Sequence, residues 1–406
     1  MSAIEIFSRD TILQTYLKIK NKKLLDRNKK LPIGLDGVNC DVFEKNLDNS
    51  INEIHRKLII RDGVISYKFG PLLRIFKNKQ DGGTRMLHIP RLRDQIVLRM
   101  IHDEILHHLH YKSINITPKS PYFFVREFDK YTKDKQDAFI LKSDLKLYYD
   151  TISRNLAIDH CFTFGIRKEI QELLTTWSST ISIRTDFMHG SSEIKDFSGL
   201  PQGLSISSLL SELYALKIDS EFKHDTGYFR YADDFAIVCN DKNDAKKKLN
   251  SLNKVVNNLS LSLSSNKTEI IKFTDGFKWL GITHFPGSKY INSDKLYDTF
   301  RPIISIKKSY EDKLTDCANQ TSKVEVISEM IREIDYFMSG KGNFRIRWYS
   351  QCEDQGQWRE LDRFIHGTIR SAIRKFGVNE SDLEPLPSLH AKCMFYKKSG
   401  VKHKSR

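Results

Sequence analysis

Two short apolar runs, Tyr228-Phe229-Arg230-Tyr231 and Phe235-Ala236-Ile237-Val238, are joined by Ala232-Asp233-Asp234, and no other segment of the 406-residue chain constrains the fold as strongly. β-Favouring residues on both sides of a short polar break read as two strands hinged into a hairpin with acids at its tip. A chain of this length holds about one Asp-Asp pair by chance, so the dipeptide decides nothing and its surroundings carry the argument. A hairpin of buried strands does not keep adjacent carboxylates without a ligand, because desolvation and mutual repulsion both favour their neutral forms.

A third acid stands in a similar place. The run Ala138-Phe139-Ile140-Leu141 predicts a short strand ending at Lys142-Ser143-Asp144. Between the two, Ile206, Leu209, Leu210, Leu213, Tyr214 and Leu216 recur at spacings of three and four, which predicts a helix over Leu204 to Phe222, opened by Pro201-Gln202-Gly203. Strand, helix and hairpin in one region imply a mixed α+β core. Asp144, Asp233 and Asp234 at strand ends suit hard divalent cations, and two such ions are the usual device for in-line phosphoryl transfer. In such a device one ion would activate the attacking hydroxyl and the other would stabilise the leaving group.

The rest of the chain alternates irregularly. A basic helical lead (Ile12, Leu13, Tyr16, Leu17) is broken by Pro32 and Gly34, and a helix is expected over Phe43, Leu47, Ile51, Ile54 and Leu58. Extended runs are expected at Tyr67-Lys68-Phe69 and Met86-Leu87-His88-Ile89-Pro90, separated by the turn former Asp81-Gly82-Gly83. After Gly281 the pattern becomes long and amphipathic, with Leu361, Phe364, Ile365, Ile369 and Ile373 on one face, and Lys392 to Arg406 is basic and poor in apolar groups.

Lys and Arg number 66 against 51 Asp and Glu, a net charge of +15. That excess favours a polyanionic partner, nucleic acid or an anionic surface. Six scattered cysteines without a CxxC pair fit a reducing compartment and argue against a zinc ribbon. No basic leader with an apolar core opens the chain and nowhere do 18 apolar residues run together, so neither secretion nor a membrane partner is expected and the cytoplasm is the expected location.

At these residues the chain resembles the reverse transcriptases. Tyr231-Ala232-Asp233-Asp234 looks like the family's catalytic hairpin and Ser143-Asp144-Leu145-Lys146-Leu147-Tyr148-Tyr149-Asp150 like its first metal-binding strand. Leu200-Pro201-Gln202-Gly203 resembles the loop and helix facing the nascent base pair, Ser265-Asn266-Lys267-Thr268 the lysine-bearing turn, and Trp279-Leu280-Gly281 the primer grip. Upstream, Lys79-Gln80-Asp81-Gly82-Gly83-Thr84-Arg85, with Ile89-Pro90 and Asp94, is similar to the segment that holds the incoming triphosphate. Six motifs in one order are a far stronger signal than any one of them.

The resemblance implies an α+β right-hand polymerase fold: an N-terminal helical lead (1–35), fingers (36–137), a palm of antiparallel sheet and helices (138–281, with a fingers-side insertion about 160–200), a helical thumb (282–390) and a basic tail (391–406). It implies two Mg²⁺ ions, for which Mn²⁺ could substitute, held by Asp144, Asp233, the carbonyl of Leu145 and, as an auxiliary carboxylate, Asp234. Arg85 and Lys79 would neutralise the triphosphate, although Lys79 also reads as a solvated loop lysine. Lys267 would protonate the pyrophosphate or brace the palm. Tyr149, five residues beyond Asp144, would by strand alternation lie under the incoming sugar and exclude a ribose 2′-hydroxyl, unless it is a core tyrosine. Gln202 and Gly203 would meet the templating pair. Trp279 is expected to pack rather than touch nucleic acid. Arg345 and Arg347, in a basic and aromatic stretch, fit either phosphate contact or a packed helix edge.

The resulting expectation is an RNA-directed DNA polymerase acting on dNTPs, an RNA template and a DNA product strand. The loop of the diversity-generating branch and the Asn-Ala-x-x-His and Val-Thr-Gly segments of retron enzymes are not found. The similarity is therefore to stand-alone, defence-associated or abortive-infection enzymes of the intron and retron lineage, with a dedicated non-coding RNA, an operon partner protein or homo-oligomerisation as accompanying expectations. An RNA-directed RNA polymerase, a template-independent or protein-primed nucleotidyl transferase, and a catalytically silent RNA-binding scaffold remain the alternatives.

Overall fold

A computed structural model of the chain describes residues 6–24, 32–59, 64–78, 83–114, 116, 119–186, 191–195, 199–341 and 346–399. In chain order the strands are β1 (Leu72–Asn78), β2 (Thr84–Ile89), β3 (Phe139–Asp144), β4 (Ser182–Asp186), β5 (Ser191–Lys195), β6 (Tyr228–Tyr231), β7 (Asp234–Cys239), β8 (Glu269–Lys272), β9 (Phe277–Trp279), β10 (Ile282–Phe285) and β11 (Ser288–Ile291). The chain divides into two units. The first comprises Met1–Pro118, Ser143–Phe235 and Lys247–Thr268, and the second Lys119–Lys142, Ala236–Lys246 and Glu269–Arg406.

In the first unit the helix Leu92–Tyr111 follows Pro90 and buries Ile96, Val97, Met100, Ile101, Ile105 and Leu109. Apolar residues on several sides make it a central element rather than a surface one. Arg9–Leu24 and Ser205–Glu221 pack against it. A four-stranded sheet runs in the order β2-β1-β4-β5, with β1 antiparallel to β2, where Lys77 pairs with Arg85, and parallel to β4. The helix expected over Phe43 to Leu58 is two, Cys40–Lys45 and Leu47–Leu58, because Asn46 leaves the helical region at φ −128° and ψ 37°.

The extended run expected at Tyr67-Lys68-Phe69 joins no ladder. The Tyr67 hydroxyl donates to Asp94 Oδ1 at 2.6 Å and the Gly70 N–H to Asp94 Oδ2 at 3.0 Å, so a buried carboxylate, not a neighbouring strand, ties this segment down. Strand β1 follows it instead. Of the expected turn, Asp81 and Gly82 lie outside the described residues.

In the second unit the first four residues of β3 pair antiparallel with β8, from Phe139 opposite Lys272 to Lys142 opposite Glu269. Helices Ser293–Thr315, Gln320–Tyr336 and Gln355–Phe376 share one core, to which they give Ile303, Ile306, Tyr310, Ile327, Met330, Ile331, Ile334, Leu361, Ile365, Ile369 and Ile373. The spacing of three and four puts each set on one face, and burying each such side chain contributes roughly 1.5–3 kcal/mol.

One correction falls in this unit. The stretch after Gly281 does not begin with a helix: β10 and β11 form a hairpin, Ile282 opposite Ile291 and Phe285 opposite Ser288, turned by Pro286 and Gly287, with Gly287 at φ 73°. The basic tail is helical through Leu389–Ser399, with Leu389 and Cys393 in the core. Its start is capped by Asp362, which accepts from the N–H of Leu389 at 2.6 Å and of His390 at 3.2 Å. Among the described residues no helix is long and apolar enough to cross a membrane.

Candidate active site

The end of β3 is clamped through its backbone. The Leu145 N–H donates to the Asp233 carbonyl at 2.9 Å, the Lys146 N–H to Ser262 at 2.8 Å, and the Ser264 N–H to the Asp144 carbonyl at 2.8 Å. Ser143 and Thr268 exchange a side-chain hydrogen bond at 2.8 Å, and the Thr268 hydroxyl also donates to the Ser264 carbonyl. Asp144 and Leu145 are thus held between the hairpin tip and the turn over residues 262–268, all in the first unit.

The hairpin tip is strained. Tyr231 ends β6 and Asp234 begins β7, leaving Ala232 and Asp233 as the loop, and Ala232 has φ 55°. A non-glycine residue pays about 1–2 kcal/mol for that conformation, a strain of the kind that gathers at functional sites.

Charge is concentrated at the same place. Burial raises the Asp233 carboxyl above its ordinary value and the Asp144 charge raises it further, while a backbone hydrogen bond, Lys267 and Arg85 partly offset this. The Lys267 ammonium lies 3.0 Å from Asp144 Oδ2. Burial lowers the Lys267 pKa, but the bond to Asp144 and the charges of all three aspartates outweigh it and hold the ammonium protonated above its ordinary value. Arg85 projects from β2 as an exposed side chain. Two repelling carboxylates facing two cations is an arrangement ready to take a polyphosphate and its counterions.

The three aspartates do not form a three-ligand cage: among the described residues no three His, Cys, Asp or Glu side chains converge to hold a metal. Asp234 opens β7 beside them, and the acid whose charge acts on Asp233 is Asp144. Two carboxylates and the Leu145 carbonyl still fit Mg²⁺, which is held by one or two carboxylates and completes its shell with water and substrate phosphate.

The loop before helix Ser205–Glu221 is pinned on two sides. The His88 N–H on β2 donates to the Gln202 carbonyl at 2.8 Å, and a Cβ on Gly203 would come within 3.1 Å of the His88 carbonyl. With φ 105° as well, the position requires glycine. The Leu200 N–H donates to the Tyr149 carbonyl at 2.8 Å. Buried Arg154 holds the carbonyls of Gly199, Ser178 and Thr180 at 2.9–3.1 Å. Gln202 and Gly203 are therefore placed beside the strand that carries Arg85.

Tyr149 does not lie on a strand, which removes the alternation argument. Leu147 at φ 48° breaks the extended backbone, and Tyr148–Thr151 is one helical turn. The side chain is half-buried, and its hydroxyl accepts from Ser211 Oγ at 3.3 Å. The neighbouring Tyr148 hydroxyl donates to the Ser211 carbonyl at 2.8 Å.

Residue-by-residue reading missed a charged network behind the hairpin. Arg230 donates to Asp219 Oδ1 and Oδ2 at 2.7 Å each, to Glu212 Oε2 at 3.1 Å and to the Ala232 carbonyl at 2.9 Å. The only signal available was Arg230 as the one charge within an apolar strand, since its partners are on a separate helix.

In the second unit Trp279 is 1% exposed and packs against Phe128 and His284, so its side chain is a packing group. Leu280 and Gly281 form the two-residue loop of the β9–β10 hairpin, with φ 50° and 80°. Lys79 and Arg345 lie outside the described residues, as does the side chain of Arg347 on helix Ile346–Tyr349.

An α+β fold with Asp144 at a clamped strand end, Asp233 at a hairpin tip, cations facing them and a glycine loop beside a tyrosine is an arrangement suited to nucleotidyl transfer. The sequence model described as "Reverse transcriptase (RNA-dependent DNA polymerase)" matches residues 77–284, a span that contains every residue of this site, and the chain belongs to the reverse transcriptase family. Among curated relatives, Protein YkfC of Escherichia coli (strain K12) is 26% identical over 302 residues, covering 61% of this chain and 74% of that protein. The Putative COX1/OXI3 intron 2 protein of Saccharomyces cerevisiae is 23% identical, covering 90% of this chain and 46% of its own length. A solved apo telomerase from Candida tropicalis aligns with a TM-score of 0.49 at 12% identity, over 83% of this chain and 62% of that one. The chain spans less than half of the intron protein and less than two thirds of the telomerase.

Proposed function

We propose that this protein synthesises DNA on an RNA template, adding dNTPs to a 3′-hydroxyl with the coupled pair Asp144 and Asp233 at the reacting centre. The observation that carries the reading is this pair itself: two carboxylates whose repulsion is tolerated at a clamped strand end and a strained turn, opposite Lys267 and Arg85. Asp144, Asp233 and the Leu145 carbonyl would hold Mg²⁺, or Mn²⁺ in its place, and the bound ions would supply charge neutralisation for in-line phosphoryl transfer. The chain's own groups set the geometry. Arg85 receives the triphosphate through its guanidinium fork, Lys267 holds a proton close to Asp144 that a leaving pyrophosphate can take, and Gln202 and Gly203 face the new base pair.

Tyr149 sets the sugar. Its hydroxyl meets Ser211 Oγ at 3.3 Å on a helix whose first loop is pinned to β2, and its ring would crowd a ribose 2′-hydroxyl. Purified protein given labelled dNTPs or rNTPs, with and without an RNA template and with Mg²⁺, tests the reading. Template-dependent dNTP incorporation that is lost in Asp233→Ala is expected, and Tyr149→Ala is expected to raise rNTP use relative to dNTP by about 10–100-fold. Incorporation of rNTPs alone, or incorporation without template, contradicts it.

We also propose a cytoplasmic location, consistent with six cysteines outside any disulfide, and a role in antiphage defence with a non-coding RNA as template. The defence role is tested by phage plating on hosts lacking the gene or carrying Asp233→Ala, and plating equal to wild type in both contradicts it.

A further inference from the structure

We propose that Arg230 is a positioning residue of the catalytic turn, holding the peptide plane before Asp233 so that its carboxylate stays aligned with Asp144. The inference rests on the polymerase reading of the site. It starts from the backbone: Ala232 sits at φ 55° without being glycine, and the carboxylate after it is both desolvated and repelled by Asp144. Left alone, such a tip relaxes.

Two bonds oppose relaxation, one on each side of Asp233. The Leu145 N–H fixes the Asp233 carbonyl at 2.9 Å, and Arg230 Nη1 fixes the Ala232 carbonyl at 2.9 Å. The guanidinium is itself immobile. Asp219 receives it through two parallel bonds of 2.7 Å, and Glu212 accepts from Nη1 and Nη2 at 3.1 Å. The side chain is 7% exposed. Glu212 and Asp219 are seven residues apart, two turns on one face of helix Ser205–Glu221.

Asp219 is held in turn by the Tyr228 hydroxyl at 2.7 Å, and the Tyr228 ring stacks on Phe222 with centroids 4.8 Å apart. Ser211, adjacent to Glu212, holds Tyr149. One helix therefore registers both the residue read as sugar-selecting and the catalytic turn. A planar fork makes five bonds here to two carboxylates and a carbonyl, whereas a lysine has three donors and no fork.

The test compares wild type with Arg230→Lys in single-nucleotide addition, primer–template binding and amide hydrogen exchange of the segment 231–235. The proposal expects kcat to fall about 10–100-fold, with the dNTP KM and the primer–template Kd within about twofold of wild type, and faster exchange in that segment. Addition within about twofold of wild type, or unchanged exchange at the turn, overturns it. A general structural role would weaken primer–template binding in step with kcat, and that result also overturns it. Should Arg230→Lys not fold, Asp219→Asn, which keeps an acceptor but loses the charge-assisted pair, carries the same three measurements with the same expected signs. If wild type itself adds no nucleotide, the polymerase reading fails, while the exchange comparison still decides whether Arg230 holds the turn.

Discussion

The β6–β7 loop puts Ala232 at φ 55° and the β9–β10 loop puts Leu280 at φ 50°, so two hairpins of this chain place a non-glycine residue in a region that L side chains avoid. The two turns differ in the next residue. After Leu280 comes Gly281 at φ 80°, whose absent side chain leaves room for Trp348, 3.1 Å from where a Cβ would stand. After Ala232 comes Asp233, which must keep its side chain, and the turn is held by Arg230 and Leu145 through hydrogen bonds. One turn is thus held by packing against Trp348 and a bond from the Asn292 N–H to the Gly281 carbonyl, and the other by a charged network.

The sharpest way to break this comparison is Asp233→Asn. It should lower nucleotide addition by about three orders of magnitude or more without lowering the thermal midpoint, because the turn is held by groups other than the carboxylate. Next is Gly281→Val, which combines a forbidden φ with contact against Trp348. A loss of about 2–4 kcal/mol is expected, read as a fall of several degrees in Tm. Ala232→Gly should act in the opposite sense on strain: stability within about 1 kcal/mol of wild type, since relief of φ is offset by unfolded-state entropy, with kcat a few-fold lower as the tip gains freedom.

The smallest effect is in the pH dependence. Between the ordinary carboxylate value of 3.8 and its raised folded value, Asp233 holds its proton in the folded chain and loses it in the unfolded one. Its contribution therefore makes stability fall as pH rises through that window, with the full penalty above it. Denaturant unfolding of Asp233→Asn should show a gain over wild type at neutral pH that disappears as pH drops below 3.8. A gain that persists there contradicts the sign.

Much of the site was legible because its signals are local. The apolar runs around Asp233 and the strand leading to Asp144 lie at the predicted positions, and the helix after Gly203 runs over Ser205–Glu221. What could not be read depends on distant groups. Tyr67 to Phe69 has strand-like residues, yet Asp94, 27 residues beyond Tyr67, takes its hydrogen bonds. Strand alternation is the wrong guide to Tyr149, because Leu147 ends the extended backbone with a positive φ that no propensity announces. Arg230 reads as a strand residue until helix Ser205–Glu221 brings Glu212 and Asp219 against it. The β10–β11 hairpin was hidden by the amphipathic pattern after it, although Pro286-Gly287 marked the turn.

Primer extension on an RNA template with dNTPs and Mg²⁺, run with wild type beside Asp233→Asn, tests the central claim most directly. The account predicts DNA product whose sequence complements the template from wild type, and none from the folded variant. Product that persists in the variant, or a wild type that extends equally well without template, contradicts it.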